Sequence, residues 1–307
     1  MEIRELKALA AQRERTAGKS IRRLGLIYMG VSVGVSLILA ILGAVLDHYI
    51  AGTGGLGGMG LRSVLSTAQT VCMLAGTVLM PFWRLGFTQA AMDTARGEMP
   101  KNAALLAGFR RFLPGVRLFL LQALVLFALM TAAMNAGSIL YMISPLAVVQ
   151  MGNIEKVLEG AADPYDPAVA AQLLQHMWPL YVLIGIAMIL VLIPASYRMR
   201  LSTYCLLDGQ DRALQNLLEG NRTMRRNCLW MFRLDLSFWW YYLLQGLLAV
   251  VANLDLIVGG GQVWYWVFFL VSGLGQMALG WAVLPKAETA FALAYEQLRP
   301  KQENREA

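Results

Sequence analysis

The sequence is poor in charge and in the residues that carry most metal and disulfide chemistry. Only 15% of its 307 residues are charged, whereas a soluble globular domain carries roughly 25%. Three cysteines and two histidines form no disulfide framework and no paired-cysteine metal motif. Hydrophobic residues, in contrast, make up 58% of the chain. This composition excludes a disordered or disulfide-stapled protein and indicates an integral membrane protein.

Six apolar stretches are long enough to cross a bilayer as helices, since about 20 residues at 1.5 Å each span the roughly 30 Å hydrocarbon core. Backbone amides cannot stay unpaired in lipid, so runs of this length predict helices. We therefore expect an all-α membrane bundle of six transmembrane helices, arranged as three hairpins. The predicted spans are 24–45, 64–83, 116–142, 178–196, 236–257 and 263–284.

The distribution of lysine and arginine predicts the orientation of these spans. The segments 1–23, 84–117, 197–235 and 285–307 hold 24 of the 26 basic residues, and the intervening loops hold two. Lysine and arginine are enriched in the cytoplasmic loops of membrane proteins. We therefore expect a plasma-membrane protein with both termini in the cytoplasm. The formal charge of +7 is explained by this asymmetry, and nucleic acid is not an expected partner.

One membrane domain covers the whole chain in this interpretation. Residues 1–23 form a basic amphipathic segment, 24–284 the six-span bundle and 285–307 a cytoplasmic tail. Amphipathic patterns at Leu6, Leu9 and Ala10, and again around Leu105 and Phe109, predict short cytoplasmic helices. Such helices either lie along the inner leaflet or pack on each other, and the sequence leaves both alternatives open.

A repeated pattern suggests that three similar hairpin units build the chain. The second, fourth and sixth predicted spans end at Pro81, Pro194 and Pro285. The motif Leu-Leu-x-Gly-x-Arg at 105–110 returns at 217–222, an offset of 112 that nearly matches the offset of 113 between the first two prolines. Shortly after each of the first two prolines, an aromatic residue is directly followed by an arginine. The third unit lacks this pair and is therefore less complete.

The predicted cytoplasmic stretches carry a resemblance to a known family. The segments are Leu-Lys-Ala-Leu-Ala at 6–10, Leu-Gly-Phe at 85–87, Ala-Arg-Gly-Glu at 95–98, Gly-Phe-Arg-Arg-Phe at 108–112, Tyr-Arg-Met at 197–199, Tyr-Cys-Leu-Leu-Asp at 204–208 and Phe-Arg-Leu-Asp-Leu-Ser-Phe-Trp-Trp at 232–240, with Gly220 and Met224 between the last two. Together they resemble a bacterial integral membrane family known as domain of unknown function 975. Family members often show Pro-Tyr after the last span, where this chain has Pro285 and Lys286. The resemblance implies a multi-pass bacterial protein and no particular activity.

Arginines near the inner leaflet are candidate contacts for anionic lipid, because the planar guanidinium can donate two parallel hydrogen bonds to a phosphate. Two of them directly follow an aromatic residue just beyond a predicted proline boundary, and two follow the amphipathic pattern around Leu105 and Phe109. The lipid bilayer, and anionic inner-leaflet lipid in particular, is therefore the expected partner. The four candidates are Arg84, Arg198, Arg110 and Arg111.

Polar side chains inside the predicted spans are all neutral, which is unusual for a proton-coupled or ion-coupled pump. They predict either interhelical hydrogen bonds or a polar cavity. The cavity candidates are Gln69, Gln122, Asn135, Gln245, Asn253 and Gln276. Gly30, Ser32 and Gly34 spell a nucleophile-elbow pattern, but within an apolar helix we interpret the glycines as a helix-packing motif.

No motif predicts a catalytic residue, cofactor or metal site, so we do not expect an enzyme. Two classes of function are expected. The first is a non-enzymatic membrane scaffold or regulatory component with a protein partner at the cytoplasmic face. The second is a transporter, channel or lipid-handling protein, favoured by the repeated hairpins.

Overall fold

The structure is a computed structural model that describes residues 2–52, 59–159, 177–209, 212–254 and 261–299. Most of the chain in these ranges is helical, and they contain no strand. The all-α expectation is confirmed. The helices are α1 Ile3–Ala17, α2 Lys19–Gly52, α3 Met59–Arg96, α4 Ala107–Arg110, α5 Phe112–Met142, α6 Pro145–Glu159, α7 Trp178–Arg200, α8 Ser202–Leu207, α9 Ala213–Met224, α10 Cys228–Leu236, α11 Trp239–Ala252, α12 Gly261–Ala282 and α13 Leu284–Leu298, with a 3-10 helix at Asn102–Leu106 before α4.

Within the described ranges, five helices are long and apolar enough to cross a membrane, and a bent pair formed by α10 and α11 makes a sixth candidate. The five lie in α2, α3, α5, α12 and a stretch that begins with α7. They indicate a multi-pass membrane protein. The arrangement as three hairpins stays a prediction.

Two of the three repeated prolines do not end their helices. Pro81 lies inside α3 and Pro194 inside α7, whereas Pro285 lies in the first turn of α13. A proline inside a helix removes one backbone hydrogen bond but can leave the helix continuous on both sides. α3 therefore continues to Arg96, well beyond the predicted boundary at residue 83.

The fifth predicted span is broken at Ser237 and Phe238, where α10 and α11 meet at an angle of 64°. Lys7 of α1 donates from Nζ to the backbone oxygen of Ser237 at 3.0 Å and lies 4.5 Å from the centre of the Phe238 ring. The ammonium group thereby binds a carbonyl that the break leaves outside the helical ladder. Burial, assisted by nearby Lys286, lowers the pKa of Lys7.

The chain divides into two compact units, which are described separately. The first comprises Met1–Val116, Thr203–Arg212 and Leu229–Ala307. In it, α2 packs against α3 and α12, and α12 also packs against α11. A Cβ added at Gly25 of α2 would lie 2.8 Å from the backbone oxygen of Gly280 of α12, so these two backbones approach closely.

The first part of the predicted cytoplasmic tail, as far as Leu298, forms the packed helix α13. α13 packs against α1 and α3, and eleven of its residues are buried, from Leu284 to Tyr295 with the exception of Lys286. On α1, Leu6 and Ala10 are fully buried. The apolar side of α1 is therefore covered by protein, through α13 and α3.

The second unit comprises Arg117–Ser202 and Ala213–Cys228. A Cβ at Gly137 of α5 would lie 2.8 Å from Cα of Ile184 on α7, so these two helices also touch through backbone. α9 packs against α7, and a Cβ at Gly220 of α9 would lie 2.7 Å from the backbone nitrogen of Ser202, the first residue of α8.

The repeated pattern has a structural counterpart in its glycines. Gly97 and Gly209, again 112 residues apart, both have a positive φ, at 87° and 104°. This conformation suits glycine beyond the end of a helix. Gly108 and Gly220, the glycines of the repeated motif, both face neighbouring backbone too closely to accept a side chain. Local structure therefore supports the similarity between the first and second sequence repeats.

Candidate functional site

A group of charged and phenolic side chains joins three distant segments of the first unit. Arg96, the last residue of α3, places Nη2 2.5 Å from Oδ1 of Asp208 and donates from Nε to Oε1 of Glu296 at 2.6 Å. Arg299, just after α13, lies 3.0 Å from Oδ2 of Asp208. Tyr295 donates to the same oxygen at 2.7 Å. We call these five residues the Arg96 network.

The network contains a residue from each of the three predicted sequence repeats. Arg96, Asp208 and Arg299 each lie 14 or 15 residues after the proline of their own unit. The chain after each proline is mostly helical, as one helix to Arg96 and to Leu298 and as two helices, ending at Arg200 and Leu207, in the second case, and it brings the three positions to one place. Asp208, the acid of the second repeat, lies between Arg96 of the first repeat and Arg299 of the third.

The charged groups of the network balance one another and are in direct contact. Two arginines face two carboxylates, so the net charge is zero. The Asp208 side chain is only 8% exposed, and both of its oxygens accept from donors. A buried carboxylate is costly unless it is paired in this way. The arrangement therefore suits a structural clamp better than a site that binds a further ligand through Asp208.

Tyr295 connects the network to the buried interior. Its ring stacks on Tyr204 with centroids 5.2 Å apart, and its hydroxyl also lies 3.9 Å from Sγ of Cys205. Burial raises the pKa of Tyr295, and so do the neighbouring Cys205 and Asp208, since a phenolate here would face other negative groups. The Tyr295 hydroxyl thus remains a donor well above neutral pH.

A second, looser contact surrounds Glu288 of α13. Its Oε1 lies 3.7 Å from Nη2 of Arg84, and its Oε2 accepts from the Tyr204 hydroxyl at 3.5 Å. Both distances are at the long end for such contacts. Glu288 is 8% exposed, and these two contacts of the buried carboxylate are longer than those of Asp208.

The four predicted lipid contacts lie in different surroundings. Arg84 is paired with Glu288, although its side chain is 67% exposed. Arg111 donates from Nη1 to the backbone oxygen of Leu206 and thereby helps to hold α8. Arg110 and Arg198 are exposed. Lipid binding by these arginines stays a prediction, and the exposed pair is more accessible to a headgroup.

The predicted cavity residues use much of their hydrogen-bonding capacity within the protein. Gln122 donates to the Met199 backbone oxygen at 3.4 Å, Gln245 to the Tyr241 hydroxyl at 3.0 Å and Asn253 to the Ala249 backbone oxygen at 2.8 Å.

Gln276 also donates within the protein, to Oγ of Ser272 at 3.4 Å, and Ser272 itself bonds to the Leu248 backbone oxygen on α11. Asn135 is exposed, and Gln69 faces Gly43. Their role in a cavity stays a prediction. Of the bonds made by the candidates, that of Gln122 joins two helices, α5 and α7, as the interhelical alternative expects, whereas those of Gln245, Asn253 and Gln276 stay within one helix.

The structure bears directly on two possible kinds of chemistry, a metal site and a nucleophile elbow at Ser32. The described residues contain no group of three or more His, Cys, Asp or Glu side chains that could hold a metal ion. Ser32 lies in the middle of α2 and donates to the Tyr28 backbone oxygen at 2.9 Å. It therefore lies on a continuous helix and not on the strand-to-helix turn that a nucleophile elbow requires.

Sequence reasoning did not single out Asp208, Tyr295 or Glu296. Asp208 appears in it only within the family resemblance, and Tyr295 and Glu296 fall in the supposed tail. The shared distance of 14 or 15 residues from each proline is the signal that would have connected Arg96, Asp208 and Arg299.

Comparisons with known proteins give no relative. No family model matches the chain, no curated protein matches it, and no solved structure matches it. The resemblance to domain of unknown function 975 stays a prediction.

Proposed function

We propose that the protein is a multi-pass component of a bacterial plasma membrane, with both termini in the cytoplasm, that acts as a non-enzymatic scaffold or regulator. Membership in the family of domain of unknown function 975 is part of this proposal. The Arg96 network is the observation that carries it. A scaffold needs a fixed surface, and the network fixes α3, α8 and α13 through charges that neutralise one another.

The helix α9 offers a surface for a partner. Leu214 and Leu218, one turn apart, are 58% and 56% exposed, and the nearby Arg222 and Arg225 are exposed as well. The buried side of α9 instead carries Asn216, Gly220 and Met224. An apolar pair beside basic residues suits an acidic amphipathic segment of another protein.

A position-specific crosslinking experiment tests the scaffold. A photoreactive amino acid at Leu218 should give a discrete protein adduct in living cells, and Leu124 of α5, 65% exposed, serves as the matched control that should give lipid adducts alone. The Leu218 adduct should also weaken when Arg222 and Arg225 are changed to Glu. Lipid adducts alone at both positions would contradict the scaffold.

A transporter, channel or lipid-handling protein is the second candidate. It is favoured by the buried Glu288, whose contacts are long, and by the prolines inside α3 and α7, which weaken the helical ladder where a conformational change could occur. Proton flux into proteoliposomes, followed with a trapped pH dye, separates the two functions. If the protein is a scaffold, the flux into proteoliposomes should equal that into protein-free vesicles. A faster flux that Glu288→Gln abolishes would favour transport.

A further inference from the structure

The helix α10 has two unlike faces. Leu229, Phe232 and Leu236 recur at helical spacing and are 77%, 44% and 57% exposed. Arg233 is exposed among them. The opposite face is buried and consists of Met231, Leu234 and Asp235. α10 therefore presents an apolar stripe and one cation outward.

The acid of this helix is turned inward. Asp235 is 6% exposed, and its Oδ1 accepts a hydrogen bond of 2.7 Å from the Tyr242 hydroxyl. The outward face of α10 thus keeps the positive charge of Arg233 while Asp235 is directed toward α11. A basic, apolar face of this kind complements an anionic lipid surface.

The bend of 64° sets how α10 would meet a bilayer. α11 has 14 residues, which rise roughly 21 Å, less than the roughly 30 Å of the hydrocarbon core. If α11 runs along the membrane normal, the nine residues of α10 add only roughly 6 Å of depth at this angle. α10 then lies obliquely in the boundary between acyl chains and headgroups.

Two neighbouring features agree with that depth. Trp239 and Trp240, at the bend, are 59% and 40% exposed, and exposed tryptophans are typical of the membrane interface. The contacts of Lys7 with Ser237 and Phe238 hold the bend in place. α1, in contrast, buries its apolar stripe against protein and leaves no such face.

We propose that α10 is an oblique interfacial helix and that Arg233 binds the headgroup of an anionic phospholipid, while Leu229, Phe232 and Leu236 enter the outer acyl region. This inference rests on the proposed membrane location of α11. The planar guanidinium of Arg233 suits a phosphate because it can donate two parallel hydrogen bonds.

Native mass spectrometry of the full chain, released from nanodiscs of phosphatidylcholine with or without phosphatidylglycerol, tests the site. Arg233→Gln should lower the apparent affinity for phosphatidylglycerol about five-fold, the typical contribution of one basic residue near an anionic leaflet. Arg233→Lys should recover part of that loss. Arg4→Gln, a change at an exposed arginine on α1, is the matched control and should retain nearly the wild-type affinity.

Three outcomes would overturn the proposal. Arg233→Gln could bind phosphatidylglycerol as tightly as the wild type, or no more weakly than Arg4→Gln. Alternatively, the wild type could be a dimer that Leu229→Asn converts to a monomer, which would make this face a contact between copies of the chain. Carbonate extraction of the same variants separates these results from a failure of the proposed membrane location, because that failure would release the wild type from membranes.

Discussion

Arg96 and Asp208 occupy corresponding positions in two repeated units, 112 residues apart, and their side chains meet at 2.5 Å. Each residue directly precedes a glycine with positive φ, Gly97 or Gly209. Opposite charges at matched positions thus join the first two repeats. Arg299 adds the third repeat through the second oxygen of Asp208.

Loss of the shared acid should destabilise the protein. Asp208→Asn would leave Arg96 and Arg299 without their common carboxylate, and breaking a buried ion pair costs about 3 kcal/mol. Thermal unfolding in detergent should show a clearly lower midpoint. Arg110→Gln, which changes an exposed arginine, should leave the midpoint within about 1 °C, since exposed charges contribute little.

The coupling between the two residues can be measured separately. In a double-mutant cycle, Arg96→Met together with Asp208→Asn should cost less than the two single changes added together, because the second change removes a charge that has already lost its partner. Additive effects would show that the two side chains do not stabilise each other.

Tyr295 should make stability depend on pH in the alkaline range. An unfolded tyrosine loses its proton near pH 10, whereas burial raises the pKa of Tyr295 in the folded protein. Above about pH 10 the folded state therefore holds more protons than the unfolded state, and its stability falls by up to about 1.4 kcal/mol per pH unit.

Tyr295→Phe should remove this alkaline loss and cost about 1.5 kcal/mol at neutral pH, where the hydrogen bond to Asp208 is absent in the variant. The difference in unfolding free energy between wild type and variant should therefore shrink from pH 9 to pH 11. A constant difference over that range would contradict the assignment.

Two glycines on α2 should respond differently to the same substitution. A Cβ at Gly25 would lie 2.8 Å from the Gly280 backbone oxygen, whereas a Cβ at Gly34 meets nothing within 4 Å. Gly25→Ala should therefore lower the unfolding midpoint by several degrees, and Gly34→Ala should leave it unchanged or raise it slightly through better helix propensity. Equal loss in both variants would show that α2 and α12 do not approach at Gly25.

The sequence predicts that α2 packs closely against another helix at Gly30 and Gly34. A Cβ added at Gly30, however, would lie 3.7 Å from the Met277 side chain, which is an ordinary contact distance. A small-xxx-small spacing identifies a helix face that permits close packing, but which pair of glycines meets another backbone depends on the crossing point. That point is set by long-range packing, which no local pattern contains.

Run length predicted most of the long helices correctly because spanning a bilayer imposes a minimum length on apolar sequence. The break at Ser237 could not be predicted in this way, because Lys7, which binds the carbonyl at the break, lies 230 residues away in the chain. The burial of α13 was hidden for a similar reason. Its charged residues Glu288 and Glu296 made it look solvent-exposed, whereas each finds an arginine on α3.

The topology is the central claim, and fusions to a reporter that is active only outside the cytoplasm test it most directly. The lysine and arginine distribution predicts active fusions near Gly57 and Glu159, and inactive fusions at Gly97, Gly209 and Ala307. Gly97 and Gly209 lie beside the Arg96 network, so their fusions also report the side of the membrane on which it lies. An active fusion at Ala307, or opposite results at Gly97 and Gly209, would contradict six crossings with both termini inside.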